Sequence, residues 1–516
     1  MVDQIETKIG KDVIESLTLG MYEDSRFVFR EYIQNSADQI DKAVSDGIFT
    51  NICNGKIEIE IDASDRTISI FDNATGIEVE KVQAILKNIA QSTKDRTKNK
   101  GFRGIGRLGG LAYCDQLIFE TSFKGEEVKS ILTWDSQKLK AIINNRAVKE
   151  EASEVVDSVT AFQTGKEERD KHYFKVTLKG VTNRALLDKK GIRQYLSMVA
   201  PVPYAKGFIF KEKISNKAEE LNFNIDQYHI FVNHDQVFKA YTTSIYEGDQ
   251  TNKKKIDEVH DVDFYEIRTI KNKLLAWGWY SISNCTKQIP IVNTARGLRL
   301  RKGNIQIGSD EALTKLFKEP RGTKYFFGEI YTISPELIPN ARRDYFLENA
   351  ELVEFEKLVK AKFDELHKLY YFSSNVRNQV KKIDDYNSFS KEYEKKSNSS
   401  GFTNDKEQRE YQEKLELKKE KAERARKEIE KAKKKANNSP SSQQKVLERV
   451  VGDKDSVIEQ TPTVNEPVRI KYITDNISKL SRKDKKLVSK VFEVIDKVLP
   501  KELANTVKEK IKEELQ

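Results

Sequence analysis

Residues 27–44 read FVFREYIQNSADQIDKAV, which is the pattern of an amphipathic α-helix. At about 100° per residue, one face is apolar and the opposite face carries Glu31, Asn35 and Asp38 at i, i+4 and i+7. Two carboxylates and a carboxamide in one row are suited to holding a hydrated Mg²⁺ and activating a water molecule. An ordinary helix with a polar outer face explains the same pattern, and the helix alone favours that simpler interpretation.

A predicted β-hairpin follows this helix and ends in an acid and a glycine. Residues 56–62 alternate between polar and apolar side chains, and residues 67–71 form the second strand. Asp72 and Gly76 come directly after it. A buried carboxylate at this place can accept a hydrogen bond from an exocyclic amine, and a glycine lets a flat ring approach the backbone. Taken alone, the segment is better explained as a plain Asp-Asn turn.

A glycine-rich segment at residues 101–113 reads GFRGIGRLGGLAY, where Gly104, Gly106 and Gly109 match G-x-G-x-x-G. Amide groups beside such glycines, followed by a helix N-terminus, are suited to binding phosphate oxygens. A Rossmann turn would join a strand directly to a helix, whereas this segment follows a basic loop. A protein kinase would also carry V-A-I-K, H-R-D and D-F-G motifs, which the chain lacks. Both interpretations are therefore disfavoured.

The composition of the 516 residues excludes several classes of protein. The chain has no apolar run of membrane-spanning length and no signal-peptide pattern, so we expect a cytoplasmic protein without a membrane partner. Cys53, Cys114 and Cys285 are scattered, which favours core thiols in a reducing compartment over disulfides or a zinc site. The net charge of +10 is compatible with binding to nucleic acid but does not demonstrate it.

Shifts in composition divide the chain into segments. Two prolines end the first block, and a second α/β block, with a first strand predicted at 230–232, ends near a paired-arginine loop. The Ser/Asn-rich stretch that follows is typical of a linker, and the next, charged helix has an Ala-rich seam that fits either a solvated single helix or a weak coiled coil. The predicted segments are a first domain at 1–210, a second at 221–370, a linker at 375–400, the charged helix at 405–436, a disordered linker at 437–466 and a helical C-terminal segment at 467–516.

Together, the three motifs resemble the nucleotide-binding boxes of the GHKL ATPases, which include gyrase, heat-shock chaperones, histidine kinases and MutL. The first box looks most like the ninety-kilodalton heat-shock chaperones, and PNARRD at 339–344 is similar to their loop that brings an arginine to the γ-phosphate. The resemblance covers roughly residues 10–350. It implies an α+β fold, in which a two-layer α/β sandwich of the GHKL (Bergerat) type precedes a second α/β domain of the middle or transducer type. A charged helix and a small helical C-terminus follow.

The resemblance also implies roles for single residues in binding ATP and Mg²⁺. Glu31 would orient and deprotonate the attacking water, and Asn35 would ligate Mg²⁺ that bridges the phosphates. Asp72 would bind the adenine amine, and Gly76 would line the base pocket. Arg343 would stabilise charge on the transferred phosphoryl group as an arginine finger. The remaining implied nucleotide and phosphate contacts are Asp38, Lys94, Gly104, Ile105, Gly106 and Gly109.

Two positions depart from the family pattern. Ala74 stands where the family usually has glycine, and Phe174 stands where it places a threonine near the adenine. Binding of Mg²⁺ and phosphate is therefore better supported than binding of adenine. The C-terminal part does not resemble the chaperones, so a client-folding role does not follow from the motifs.

The leading hypothesis is a conformational clamp, an ATPase that closes on ATP and is held as a homodimer by its C-terminal helices. The clamp would grasp a protein client or, in the manner of MutL or MORC proteins, DNA; the motifs do not choose between them. A histidine kinase would need a phosphoacceptor histidine ahead of the ATP domain, and no histidine precedes His172. A nucleotide-binding scaffold without turnover is disfavoured by the presence of Glu31.

Overall fold

The computed structural model describes residues 9–18, 24–91, 104–147, 150–249, 251–398, 402, 405–436, 441–452 and 480–515. The chain divides into two compact units, Met1–His367 and Lys368–Gln516. Within the described ranges, we find no helix with the length and apolar character that crossing a membrane requires.

An eight-stranded sheet forms the base of the N-terminal domain. Its order is β5-β4-β3-β6-β2-β1-β7-β8, and all neighbouring strands are antiparallel except β1 and β7. The strands are β1 (Lys56–Asp62), β2 (Thr67–Asp72), β3 (Gln116–Ser122), β4 (Val128–Asp135), β5 (Thr160–Lys166), β6 (Tyr173–Lys179), β7 (His229–Val232) and β8 (Asp235–Gln236).

Helices cover one face of this sheet. Along β1 the buried side chains alternate with half-buried ones, and the buried ones share one apolar core with Phe29, Ile33 and Ile40 of the second helix. The domain is therefore a two-layer α/β sandwich, which confirms the predicted fold class. Its helices are α1 (Asp12–Leu17), α2 (Phe27–Ser45), α3 (Val79–Lys87), α4 (Ser136–Asn144), α5 (Ala152–Val159) and α6 (Lys189–Val199).

The first sheet extends further along the chain than the sequence predicts. Strand β7, which we assigned to the domain at 221–370, pairs in parallel with β1, with Lys56 opposite His229. The N-terminal sheet therefore continues past residue 210 to β8. An apolar strand of four residues has the same pattern in either sheet, so only its pairing shows where it belongs.

A second domain contains α7 (Lys211–Glu220), whose Ile214 and Ala218 lie in its core, and a six-stranded sheet of order β13-β12-β14-β11-β10-β9. Strands β11 and β14 are buried almost throughout, so both faces of the sheet centre are covered. Trp277 and Trp279 lie at the middle of its core. The strands are β9 (Ser244–Glu247), β10 (Lys254–Arg268), β11 (Leu274–Ser283), β12 (Gly297–Lys302), β13 (Ile305–Gln306) and β14 (Phe327–Thr332).

The predicted linker at 375–400 is helical in the structure as far as Asn398. It continues α8 (Ala350–Asn398), which spans the boundary between the two units. Val376, Val380 and Ile383 recur at helical spacing and are buried, and this periodicity outweighs the Ser/Asn-rich composition. They share a core with Ala422, Ala425 and Ile429, the seam of α9 (Asp405–Ala436), so this seam packs within the chain.

The remaining helices of the second unit are α10 (Ser441–Gly452), α11 (Arg482–Val498) and α12 (Lys501–Leu515). Helix α10 falls inside the predicted disordered linker at 437–466, where Val446, Leu447 and Val451 are buried. Residues 453–479 lie outside the described part of the chain. Ser481 caps α11 by accepting a hydrogen bond from the amide of Asp484 at 3.4 Å.

Candidate functional site

Helix α2 brings two of its three predicted polar residues to one cavity. Glu31 and Asn35 line this cavity, which lies between α2, the end of β2 and the glycine-rich segment. Asp38 is buried but is not among the lining residues. It lies on the side of α2 that faces Tyr228. Burial is the main cause of the raised pKa of the Tyr228 phenol, and the charge of Asp38 adds to it. The predicted polar row of α2 therefore supplies Glu31 and Asn35 to the cavity, but not Asp38.

Asp72 lies at the base of the cavity and is 1% exposed. Its Oδ2 accepts a hydrogen bond from the hydroxyl of Ser36 at 2.7 Å, and its Oδ1 accepts one from the amide of Ala74 at 3.1 Å. Each carboxylate oxygen can accept a further hydrogen bond. Phe174, directly opposite Asp72 on β6, also lines the cavity. The acid is thus oriented by the protein and faces a space with an aromatic wall.

Two glycines line the cavity in close contact with neighbouring groups. Gly76 has a φ of +68°, and a Cβ atom there would lie 1.8 Å from the carbonyl oxygen of Ser122. Gly106 packs against Glu31, because a Cβ atom there would lie 2.3 Å from Oε2. Gly104 and Ile105 also line the cavity. Gly109 is buried nearby but is not a lining residue, and Lys94 lies outside the described residues.

Arg343 reaches the same cavity from the second domain. It is held in a tight loop, 339–346, where its own φ is +55° and its amide donates to the carbonyl of Asn340 at 3.2 Å. Its carbonyl accepts a hydrogen bond from the amide of Gly308 at 2.8 Å. A positive φ is uncommon for a residue other than glycine and costs conformational energy, so the surrounding loop must hold it in place.

The carboxylate of Glu31 lies between two arginines. Its Oε1 is 3.6 Å from Nη2 of Arg30 and 3.6 Å from Nε of Arg343, and it makes no hydrogen bond within the described part of the chain. Arg30 is 1% exposed and donates to the carbonyl of Arg342 at 3.1 Å. The carboxylate is thus buried and paired with two guanidinium groups, and its Oε1 keeps hydrogen-bond acceptor capacity.

Sequence reasoning missed Arg107, which also lines the cavity. Its Nη2 donates to the carbonyl of Asn88, while its buried Nε has no hydrogen-bond partner among the described residues. Burial lowers the pKa of Arg107 to about 10, well above neutral pH. The sequence did contain a signal for this residue, because Arg107 is a basic residue within the G-x-G-x-x-G motif. Ser36 and Gln39, which also line the cavity, carried no such signal.

The cavity measures about 130 Å³, which is below the usual volume of a small-molecule site. The structure thus gathers Glu31, Asn35, Asp72 and Arg343 with Gly76, Gly104, Ile105 and Gly106 around one space. Among the described residues, there is no group of three or more His, Cys, Asp or Glu side chains that could hold a metal ion.

Residues 22–166 match the family model for the histidine kinase-, DNA gyrase B- and HSP90-like ATPases. This segment contains α2, strands β1 to β5 and the glycine-rich segment. The match confirms the resemblance inferred from the motifs for this segment, which is similar to the ATPase domains of that class.

Individual relatives match over a similar length. A protein named Chaperone protein HtpG from Methylococcus capsulatus is 27% identical over 143 residues, which cover 24% of this chain and 23% of the relative. Proteins of the same name from Buchnera aphidicola and Coxiella burnetii are 28% and 26% identical, with the same coverage. The chain thus spans about a quarter of the length of these relatives, so the similarity concerns the ATPase region.

Proposed function

We propose that this chain is a Mg²⁺-dependent ATP hydrolase in which Glu31 is the general base. The observation that carries the proposal is the buried carboxylate of Glu31, which lines one cavity with Asn35 and Arg343 and whose Oε1 accepts no hydrogen bond from a described residue. The match of residues 22–166 to an ATPase family supports the nucleotide. Glu31 would orient the attacking water and accept its proton, and the backbone of Gly106 packs close to its carboxylate.

The residues present fit a metal held jointly with the phosphates. Asn35 offers an amide oxygen in the cavity, and Mg²⁺ usually takes few protein ligands beside phosphate oxygens and water. When bound, the ion would neutralise part of the negative charge of the phosphates. Arg107 offers a second, fixed cation in the same wall, and Gly104 and Ile105 offer backbone close to the phosphates.

Arg343 would act as an arginine finger supplied by the second domain. Its position 3.6 Å from Glu31 supports this role, because a group that close to the base is also close to the reacting phosphoryl group. In the described arrangement its charge balances the carboxylate of Glu31. We propose that nucleotide binding transfers this contact from the carboxylate to the γ-phosphate.

Asp72 would bind the amino group of adenine, since hydrogen bonds from Ser36 and Ala74 orient its buried carboxylate at the wall of the cavity. Gly76 would let the base approach the backbone. The small volume of the cavity means that its walls must move apart to admit a whole nucleotide. Such movement is expected of a clamp whose lid contains the glycine-rich segment.

We propose that the clamp is a homodimer joined by the C-terminal helices. In α11, Leu487, Val491, Val494 and Val498 recur at alternating spacings of four and three residues, and between 44% and 71% of each is exposed. Such a stripe is typical of a helix that pairs with another helix. Light scattering should give the molar mass of a dimer for the full chain and that of a monomer for Val494→Asp. A monomeric wild-type chain would contradict the dimer.

The relatives are named as chaperone proteins, which favours a protein client as the object of the clamp. Phosphate release measured with and without double-stranded DNA over a salt series would separate this proposal from a DNA-associated one. Stimulation by DNA that falls steeply with salt would favour DNA, because phosphate contacts release counterions. No stimulation at low salt would favour a protein client.

The decisive experiment on hydrolysis is release of inorganic phosphate from ATP by the full chain. We expect turnover with Mg²⁺, none with excess chelator, and a loss of about 100-fold or more in Glu31→Ala. Asp46→Asn is the matched control, since Asp46 follows the same helix but pairs with Lys42 at its exposed end. Equal rates in Glu31→Ala and wild type would remove Glu31 as the base.

A further inference from the structure

The loop between β2 and α3, residues 73–78, is tied to the start of β6 by hydrogen bonds. It directly follows Asp72, and we call it the base loop. The amide of Ile77 donates to Oγ1 of Thr121 at 3.0 Å, and the same hydroxyl donates to the carbonyl of Tyr173 at 2.8 Å. Loop backbone depends on such contacts, because its buried polar groups need partners. Thr121 therefore fixes the far end of the base loop.

His172 holds the near end of the base loop, at Ala74. Its Nδ1 lies 2.6 Å from the carbonyl oxygen of Ala74, a residue that is fully buried. A carbonyl oxygen only accepts, so Nδ1 carries the hydrogen and is the donor. The half-buried imidazole ring also lies beside Phe49, with 6.0 Å between the ring centroids. None of the roles proposed above uses this histidine.

The contact of His172 leads to Asp72 through a single residue. The amide of Ala74 donates to Oδ1 of Asp72 at 3.1 Å, so the position of Ala74 sets the direction of that hydrogen bond. Phe174, two residues after His172, lies opposite Asp72 on β6 and lines the same cavity. His172 therefore ties the acid at the end of β2 to the strand that forms the facing wall.

We propose that His172 is a positioning residue for the base pocket, and that it holds the Asp72 carboxylate in the direction that selects a base with an exocyclic amine. The inference rests on the proposed role of Asp72 in binding adenine. A site that accepts a hydrogen bond from a substrate amine rejects an analogue without that amine, provided that the acceptor is held in place. Through Ala74, the hydrogen bond of His172 supplies part of this hold.

The test compares two variants of the full chain that separate the hydrogen bond of His172 from its ring. His172→Phe keeps an aromatic ring beside Phe49 and removes the donor. His172→Asn is the matched control, because its amide places an N–H group at the position of Nδ1–H while the ring is lost.

Calorimetric titrations with ADP and, separately, with IDP in the presence of Mg²⁺ measure selectivity, because IDP carries an oxygen in place of the amine. We expect wild type and His172→Asn to prefer ADP by about tenfold or more, and His172→Phe to lose about threefold to tenfold of this preference. The catalytic constant at saturating ATP should stay within about twofold of wild type in both variants, since the change affects binding of the base.

Equal preference for ADP in His172→Phe and wild type, or a wild type that binds ADP and IDP equally, would overturn the positioning role and leave ATP hydrolysis standing. Loss of the preference in both variants would assign the effect to the ring and overturn the role of the hydrogen bond. A wild-type chain that bound neither nucleotide would overturn the proposed function. Hydrogen exchange without nucleotide would then decide on the contact alone: faster exchange of the Ala74 and Ile77 amides in His172→Phe than in His172→Asn would support it, and equal exchange would overturn it.

Discussion

Oε1 of Glu31 lies 3.6 Å from Nε of Arg343, although the two residues belong to different domains. Helix α2 supplies the carboxylate, and a loop after β14 supplies the guanidinium. Both side chains are largely buried, so their mutual attraction is stronger than that of a surface ion pair. The contact joins the two domains at the place where we expect chemistry to occur.

Replacement of Arg343 should reduce turnover with little effect on binding of ADP. We expect Arg343→Met to lower the catalytic constant by about 1,000-fold, the lower end for an arginine finger, and Arg343→Lys to keep part of the rate. Single-turnover phosphate release and ADP titration would be measured for both variants. A wild-type rate in Arg343→Met would show that this residue does not act on the phosphoryl group.

Substitution of Gly106 should lower turnover, whereas substitution of Gly76 should lower the stability of the fold. An alanine at Gly106 meets the end of the Glu31 side chain, so Gly106→Ala should displace the carboxylate and lower turnover while the protein stays folded. An alanine at Gly76 meets the backbone of Ser122 at a φ of +68°, so Gly76→Ala should lower the melting temperature. Circular dichroism melts beside phosphate release would separate these effects. The reverse pattern would contradict our assignment of the two glycines.

Asp72→Asn should weaken binding of adenine nucleotides by about tenfold or more. The substitution places an amide where the carboxylate accepts hydrogen bonds from Ser36 and Ala74, and it removes the negative charge that faces the cavity. Titration with ADP would measure the loss. Ser36→Ala is the control, because it removes one supporting hydrogen bond but keeps the carboxylate. If both variants bind ADP as the wild type does, Asp72 does not contact the base.

Arg107→Met should lower the affinity for ATP but not the stability of the fold. Burial of a guanidinium without a carboxylate partner among the described residues costs free energy, so its removal should leave the melting temperature unchanged or raise it. The loss of ATP affinity, about tenfold, should shrink at high salt because the contact is ionic. If Arg107→Met binds ATP at low salt as tightly as the wild type does, Arg107 does not contact the nucleotide.

Glu329 anchors a buried ionic cluster in the second domain. It accepts a hydrogen bond from Lys239 at 2.9 Å and pairs with Arg301, and all three are fully buried. Burial opposes its charged form, but Arg301 and Lys239 outweigh this and hold the pKa of Glu329 far below the usual 4.5. Glu329→Gln removes the counter-charge of the buried Arg301 and should cost about 3–5 kcal/mol of unfolding free energy.

The same cluster predicts a dependence on pH. Because the pKa of Glu329 is lower in the folded protein, the unfolded chain takes up the proton first as the pH falls. The stabilisation is therefore fully present above about pH 4.5 and is lost progressively below it. Denaturant melts between pH 7 and pH 3 should show this loss in wild type and a smaller one in Glu329→Gln. Parallel curves would contradict the assignment.

The sequence by itself determined the elements whose pattern is local. The two faces of α2, the hairpin of β1 and β2 and the glycine-rich segment follow from periodicity and turn chemistry over a few residues. The order of Glu31, Asp72 and Gly104 along the chain then indicated a nucleotide site and its class of ATPase. These signals are readable because each depends on neighbours in the sequence.

Only the tertiary structure decided which distant residues meet. It placed β7 in the first sheet, turned Asp38 away from the cavity and continued a helix through the stretch predicted as a linker. It also brought Arg107 and Arg343 into the cavity that Glu31 lines, and it formed a second cavity beside the loop that carries Arg343. Pairing and packing between separate segments depend on the shape of the whole core, which local periodicity does not specify.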